Sequence, residues 1–186
     1  MRSDTGGLPR RTFLRLLGAG ALGTPLASEP HGDKLLRGIF PIAQTPFTDS
    51  DQIDLDALAR EVKFIDRTGA HGLAWPQMAS EYATLSEAER LAGAEAIVAA
   101  GKNLRPAIII GVQSKDLPSA VKYARHAAKI GADAIISLPP TAQESSDAMV
   151  QYYREIGKAT DLPLFVQSTG NMSVELSWRC PGPSLP

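Results

Sequence analysis

Apolar residues recur along this chain in two rhythms. Ala107-Ile108-Ile109-Ile110 is apolar throughout and is closed by Gly111. Unbroken short runs of this kind suit strands buried on both faces. Leu117, Val121, Ala124, Ala128 and Ile130 then recur at three- and four-residue steps, which predicts a helix ended by Gly131. A second run, Ala134-Ile135-Ile136-Ser137-Leu138, stops at Pro139-Pro140. Two such runs joined by a helix make a parallel βαβ unit.

The rest of the body repeats that unit. Gly38 to Gln44 reads as a first strand, followed by Thr45-Pro46-Phe47 and a polar turn. Asp54 is a good N-cap for a helix carrying Leu55, Leu58, Val62 and Ile65 on one face and closed by Gly69. His71 to Trp75 reads as a second strand, stopped by Pro76. Ser86, with Glu89 three residues on, is a capping box that opens a helix running to about Ala100. Ser145 or Ser146 starts a fourth helix through Met149, Tyr152, Tyr153 and Ile156, and Leu164 to Gln167 reads as a fifth strand.

The strands begin near residues 38, 72, 107, 134 and 164. Regular β-then-α alternation predicts an α/β fold, a parallel sheet flanked by helices. An eight-fold barrel and an open doubly wound sheet both fit. A complete barrel takes about 250 residues, and this chain has 186.

The totals narrow the partners. Arg2, Arg10, Arg11 and Arg15 against Asp4 give residues 1–27 a charge of +3, so the remainder carries -1 - 3 = -4. A mildly acidic body argues against nucleic acid, which selects a clustered basic face. The lone cysteine, Cys180, excludes an intrachain disulfide and makes no case for a metal site. There is no phosphate loop, nucleotide fingerprint or paired-histidine motif, so no cofactor is expected.

Residues 1–30 read as a leader and linker. Arg10-Arg11-Thr12-Phe13-Leu14-Arg15 precedes a weakly apolar segment, Leu16 to Leu26, with Ala27 at a small-residue cleavage position. The pattern resembles a twin-arginine export signal. It implies a periplasmic protein with no stable membrane insertion once the signal is removed; a cytoplasmic location is the alternative. Residues 31–176 form the expected folded body. Residues 177–186, with three prolines and no periodicity, read as an irregular tail.

Several segments together resemble the dihydrodipicolinate synthase and N-acetylneuraminate lyase family. They are Gly38 to Phe47; Glu81-Tyr82-Ala83-Thr84-Leu85-Ser86 followed by Glu89-Arg90; Gly111-Val112-Gln113-Ser114; and Gly131-Ala132-Asp133-Ala134 leading to Leu138-Pro139-Pro140. The resemblance covers roughly Leu36 to Leu176, in unbroken order. It implies a partial TIM (β/α)8 barrel of about five parallel strands and four to five helices. It also implies a class I aldolase, which holds pyruvate or a related 2-oxo acid as a Schiff base on a lysine.

That chemistry needs a neutral lysine, a proton relay and donors for the carboxylate. By resemblance, Thr45 stands at the relay threonine and Gln167 at the fifth-strand relay tyrosine. The family's carboxylate loop reads glycine, threonine, threonine, glycine, glutamate; here it is Gln77-Met78-Ala79-Ser80-Glu81. Ala79, Ser80 and Glu81 are therefore the substrate-binding candidates, with Glu81 expected to cap backbone donors beneath the loop. The Schiff-base lysine belongs to the sixth strand, which these residues do not reach. Lys158 falls on the fourth helix, outside the barrel. The expectation is a lyase-family chain that is inactive by itself, with a non-catalytic ligand-binding relative as the alternative. Open sheet edges predict self-association. His71 reads as a surface or satisfied histidine, His126 as solvated beside Arg125 and Lys129, and His31 lies in the linker. Trp75, Met78, Tyr152 and Tyr153 read first as packing, although Trp75 and Met78 could line a pocket.

Overall fold

The computed structural model describes residues 34–140 and 145–167. The expected leader, His31, Cys180 and the tail lie outside the described residues.

Among the described residues four α-helices and four strands alternate: α1 (Leu55–Thr68), β1 (Gly72–Trp75), α2 (Glu87–Gly101), β2 (Ala107–Gly111), α3 (Leu117–Ile130), β3 (Ala134–Ser137), α4 (Ser146–Lys158) and β4 (Leu164–Val166). The expected caps hold them. Asp54 accepts from Ala57 N at 2.8 Å, and Gly69 closes α1 with a φ of 79°. Ser86 Oγ accepts from Glu89 N, and Ser86 N donates to Glu89 Oε2 at 2.8 Å. A one-turn 3-10 helix, Met78–Ser80, stands in the loop after β1 and left no periodic signal in the sequence.

The strands form one parallel sheet in the order β1-β2-β3-β4. The expected first strand is only partly realised. Residues 39–43 run beside β1 with a single bridge, Ile42 to Ala74. Pro41 lacks an N–H, so this edge accepts from Ala74 N but cannot complete a ladder.

Successive strand residues face opposite sides. Leu73, Trp75, Ile108, Ile110 and Ile135 face the helices and share one core with Leu58, Val62, Ile97, Ala124 and Ile156. Ala74, Ile109 and Ala134 face the concave side, packed with Leu36, Phe40, Ile136 and Phe165. Two buried faces explain the unbroken apolar runs. Each fully buried Ile or Leu contributes about 2 kcal/mol.

The register fixes the curvature. Phe165 pairs Ile136, and Ile136 pairs Gly111. Trp75 pairs Ile110 and Ile42 bridges Ala74, so Gly111 stands level with Pro76 and Pro76 with Gln44. Yet the ring that meets Phe165 is that of Phe40, at 5.9 Å. Phe40 lies 44 - 40 = 4 residues below the level position, across four strand steps. One residue per strand is the stagger of an eight-stranded barrel with a shear of about 8. Ile109, two residues below Gly111 and two strands away, completes the same layer. The described residues form an arc of a (β/α)8 barrel in which the first and fifth strand positions face each other across the core.

At the amino ends of the strands, Lys34 Nζ lies 3.1 Å from Asp133 Oδ2 and 3.0 Å from Pro106 O. The same carboxylate oxygen accepts from Ile108 N at 2.7 Å. This half-buried clamp ties the start of the described chain to the β2 and β3 entries.

Candidate functional site at the carboxyl ends of the strands

The loop after β1 is fixed by its own polar groups. Trp75 Nε1 donates to Thr45 Oγ1 at 3.0 Å, and the Thr45 hydroxyl donates to Ser80 O at 2.6 Å. The Ser80 hydroxyl donates to Ala43 O at 2.6 Å and accepts from Gln77 N at 3.0 Å. A hydroxyl has one proton, so both are engaged within the protein. Thr45 and Ser80 are thus brought together, in bonds that hold the loop. Ala79 is exposed and offers only its backbone. Glu81 departs from expectation. Its backbone is left-handed, with a φ of 56°, and its side chain is exposed. Its carbonyl accepts from Thr84 N and Thr84 Oγ1, but its carboxylate caps no backbone donor among the described residues.

Beneath the loop lies a buried amide pair. Gln77 Nε2 donates to Gln113 Oε1 at 3.1 Å, and Gln113 Nε2 donates to Pro76 O at 2.7 Å. Both side chains are buried. A Cβ on Gly111 would collide with Pro76 O and crowd Gln77 Nε2, so the close approach of β2 to this loop requires glycine.

Arg90 braces the same region from α2. Its guanidinium donates to Gln113 O at 2.8 Å and Gly111 O at 2.9 Å, and stacks 4.0 Å from the Tyr123 ring centroid. No carboxylate pairs with it among the described residues. Burial pulls its pKa below the usual arginine range, and the neighbouring Tyr123, Tyr82 and Tyr152 hydroxyls oppose that shift. The sequence reading missed this role. The available signal was position: Arg90 precedes Gly93, Ala94 and Ile97 by three, four and seven residues, on the buried face of α2.

Tyr152 and Tyr153 pack as expected, edge to face at 5.5 Å. The Tyr152 hydroxyl accepts from Ser114 N at 3.4 Å and lies 3.5 Å from Ser137 Oγ. Burial pushes its pKa up. Gln167 N donates to Ser137 O at 3.1 Å. Gln167 follows Phe165 by two residues, so strand alternation places it on the concave side at the mouth. Its Oε1 is buried with no partner among the described residues.

The remaining candidates are dispersed. Trp75 is fully buried in the helix-side core, against Gly93, whereas Met78 is exposed at the mouth. Lys158 lies on α4 and pairs with Glu155 at 2.8 Å. His71 is exposed and accepts from Ile39 N at 3.1 Å. His126 is less open than its charged neighbours suggest: α2 packs over it, its side chain is 18% exposed, and Glu95 lies 3.4 Å away. Among the described residues no group of three metal-type ligands assembles, and no helix is long and apolar enough to cross a membrane.

A family model, the dihydrodipicolinate synthetase family, matches residues 35–175. The chain belongs to the dihydrodipicolinate synthetase family. A 4-hydroxy-tetrahydrodipicolinate synthase of Methanothrix thermoacetophila is 30% identical over 131 residues, covering 70% of this chain and 43% of the relative. A putative dihydrodipicolinate synthetase from Pseudomonas aeruginosa superposes with a TM-score of 0.74 at 28% identity, over 78% of this chain and 52% of that one. A prophage protein of the dihydrodipicolinic acid synthase family from E. coli K12, solved in complex with pyruvate, superposes with a TM-score of 0.68 at 25% identity, over 71% of this chain and 44% of that one. The relationship is to lyases of this family, and the partial barrel is their fold. The chain spans about half the length of the relatives it matches.

Proposed function

We propose that the mouth of this arc holds a small 2-oxo acid, as the ligand-binding portion of a lyase-type barrel, and that the 186-residue polypeptide alone forms no Schiff base. The ligand class is supported by the pyruvate-bound relative. It is also supported by the Met78 and Ala79 N–H groups. These open the 3-10 turn and donate to no acceptor among the described residues. Paired backbone N–H groups in such turns suit a carboxylate.

The observation that carries the second half is the placement of the lysines. Schiff-base chemistry needs a lysine amine beside the ketone. Lys34 is at the opposite end of the barrel, bound to Asp133. Lys63, Lys122, Lys129 and Lys158 are on helices, Lys102 follows α2, and Lys115 is on the exposed loop after β2. None stands on the concave side of a strand end.

Borohydride reduction with pyruvate, followed by intact mass and peptide mapping, tests this directly. The expected result is an unmodified chain that still shows pyruvate contact in saturation-transfer NMR. A stoichiometric adduct, on Lys115 or elsewhere, overturns the inactivity. A folded chain with no pyruvate contact overturns the ligand class. Gln167 favours a second reading, a non-catalytic small-molecule binder, because an amide does not relay a proton as a tyrosine hydroxyl does. Under that reading, restoring the tyrosine with Gln167→Tyr in a longer version that carries a sixth-strand lysine leaves turnover absent.

Export is proposed for the leader. Changing Arg10 and Arg11 to Lys is expected to retain a reporter fusion in the cytoplasm; unchanged periplasmic delivery would refute it.

A further inference from the structure

One polar function of the loop after β1 is uncommitted. The Gln77 backbone is fully used: its N–H donates to Ser80 Oγ at 3.0 Å, and its C=O accepts from Ser80 N at 3.0 Å and Tyr82 N at 3.3 Å. Its side chain is locked from the far end. Pro76 O can only accept, so Gln113 turns Nε2 toward it, at 2.7 Å, and presents Oε1 to Gln77. Gln77 therefore turns its own Nε2 toward Gln113, at 3.1 Å, and its Oε1 away. The lock fixes which end of each amide is oxygen. Gln77 is 1% exposed, and its Oε1 meets no donor among the described residues.

The amide stands on the concave side. Ile109 faces that side, and Gly111, two residues on, shares its face. A Cβ on Gly111 would lie 2.7 Å from Gln77 Nε2, so the carboxamide fills the space that a side chain from β2 would take. Gln167 follows Phe165 as Gly111 follows Ile109, and so belongs to the same layer; its Oε1 also meets no donor among the described residues.

The mouth thus offers an acceptor at Gln77 and, on the next two residues, the donors Met78 N–H and Ala79 N–H. A ligand matched to both carries a carboxylate and, close to it, a hydrogen-bond donor. Arg90 decides which donor. Its guanidinium bonds Gly111 O and Gln113 O on this same stretch and pairs with no carboxylate among the described residues. A second cation beside it is disfavoured, so the donor is a hydroxyl and not an ammonium.

We infer that Gln77 is a specificity-determining residue whose carbonyl oxygen accepts a ligand hydroxyl, so that the mouth takes a 2-oxo acid hydroxylated beside the ketone in preference to its alkyl counterpart. The 2-oxo acid rests on the function proposed above; the hydroxyl rests on the amide lock. A buried acceptor without a donor is costly, and a hydroxyl relieves it where a methyl group cannot. The oxygen is closed to solvent, so entry of the ligand includes a shift of the three-residue turn, of which Met78 and Ala79 are exposed.

The test is titration of the 186-residue protein with 3-hydroxypyruvate and with 2-oxobutyrate, followed by ligand-observed NMR. The two are alike in size and differ by a hydroxyl in place of a methyl group. Hydroxypyruvate is expected to bind about tenfold more tightly. Gln77→Met, checked for folding by far-ultraviolet circular dichroism, is expected to lose that preference; the wild-type comparison stands without it. Equal affinity of the wild-type protein for the two, tighter binding of 2-oxobutyrate, or a preference that survives in Gln77→Met overturns the assignment and leaves the 2-oxo acid reading in place. Binding of neither ligand overturns both.

Discussion

The rings of Phe40 and Phe165 meet 5.9 Å apart, tilted by 55°, though 165 - 40 = 125 residues separate them in sequence. Their contact spans the concave face from the first strand position to the last. It joins the two ends of the arc without any backbone hydrogen bond between them.

If this pair sets the curvature, removing either ring should loosen both ends. Phe40→Ala and Phe165→Ala are each expected to cost about 2 kcal/mol, below the usual range for a fully buried phenylalanine because both are half-buried. The double variant should show a coupling of about 1 kcal/mol. Urea unfolding of the four proteins measures it; strict additivity would mean the rings meet without consequence.

Gly111 should be nearly irreplaceable. A methyl group there collides with the Pro76 carbonyl, which is backbone and cannot swing aside. Gly111→Ala is expected to cost about 3 kcal/mol or more. Gly157→Ala is the control. Nothing lies within 4 Å of its missing Cβ, and it is inside α4, so helix propensity predicts a gain of up to about 1 kcal/mol. Thermal melts of the two variants should move in opposite directions.

Arg90 holds two carbonyls with a planar fork. Arg90→Met leaves Gly111 O and Gln113 O without donors, at a cost of about 2 kcal/mol. Arg90→Lys should recover less than half of this, because an ammonium cannot span both acceptors in that geometry. Near-ultraviolet circular dichroism should report Tyr123 losing its stacked partner. Full recovery by lysine would show that charge, and not shape, is what the site requires.

Tyr152 gives a dependence on alkaline pH. Burial raises its folded pKa above the unfolded value, so the folded state keeps the phenolic proton longer. The stabilisation is complete below the unfolded pKa, about 10, and is lost as pH rises through the folded one. Stability should therefore fall with pH above that point, and Tyr152→Phe should flatten the slope. At neutral pH the variant should cost under about 1 kcal/mol, since the hydroxyl's bonds at 3.4 and 3.5 Å are long. An unchanged slope would place the titration on another group.

Much of the architecture was legible because local signals agreed. The caps Asp54 and Ser86 and the terminator Gly69 each bound a helix where the apolar spacing begins or ends. The unbroken runs at Ala107 and Ala134 became strands covered on both faces. What failed depended on neighbours distant in sequence. The first strand is only partly realised because Pro41 cannot complete a ladder and the segment has a partner on one side only among the described residues. Glu81 was expected beneath the loop, but the left-handed turn at its own Cα leaves it exposed. Arg90 and Gln113 meet across 113 - 90 = 23 residues of chain, and no local pattern announces their bond. The resemblance singles out Thr45, but its two hydrogen bonds, with Trp75 and Ser80, emerge only in the folded chain.

The clamp of Lys34 on Asp133 couples two strand entries through one carboxylate. Asp133 Oδ2 accepts both from the Lys34 ammonium and from Ile108 N, so the amino ends of β2 and β3 open and close as a unit. Amide hydrogen exchange at Ile108 should therefore quicken in Lys34→Met, although 108 - 34 = 74 residues separate the two positions in the chain.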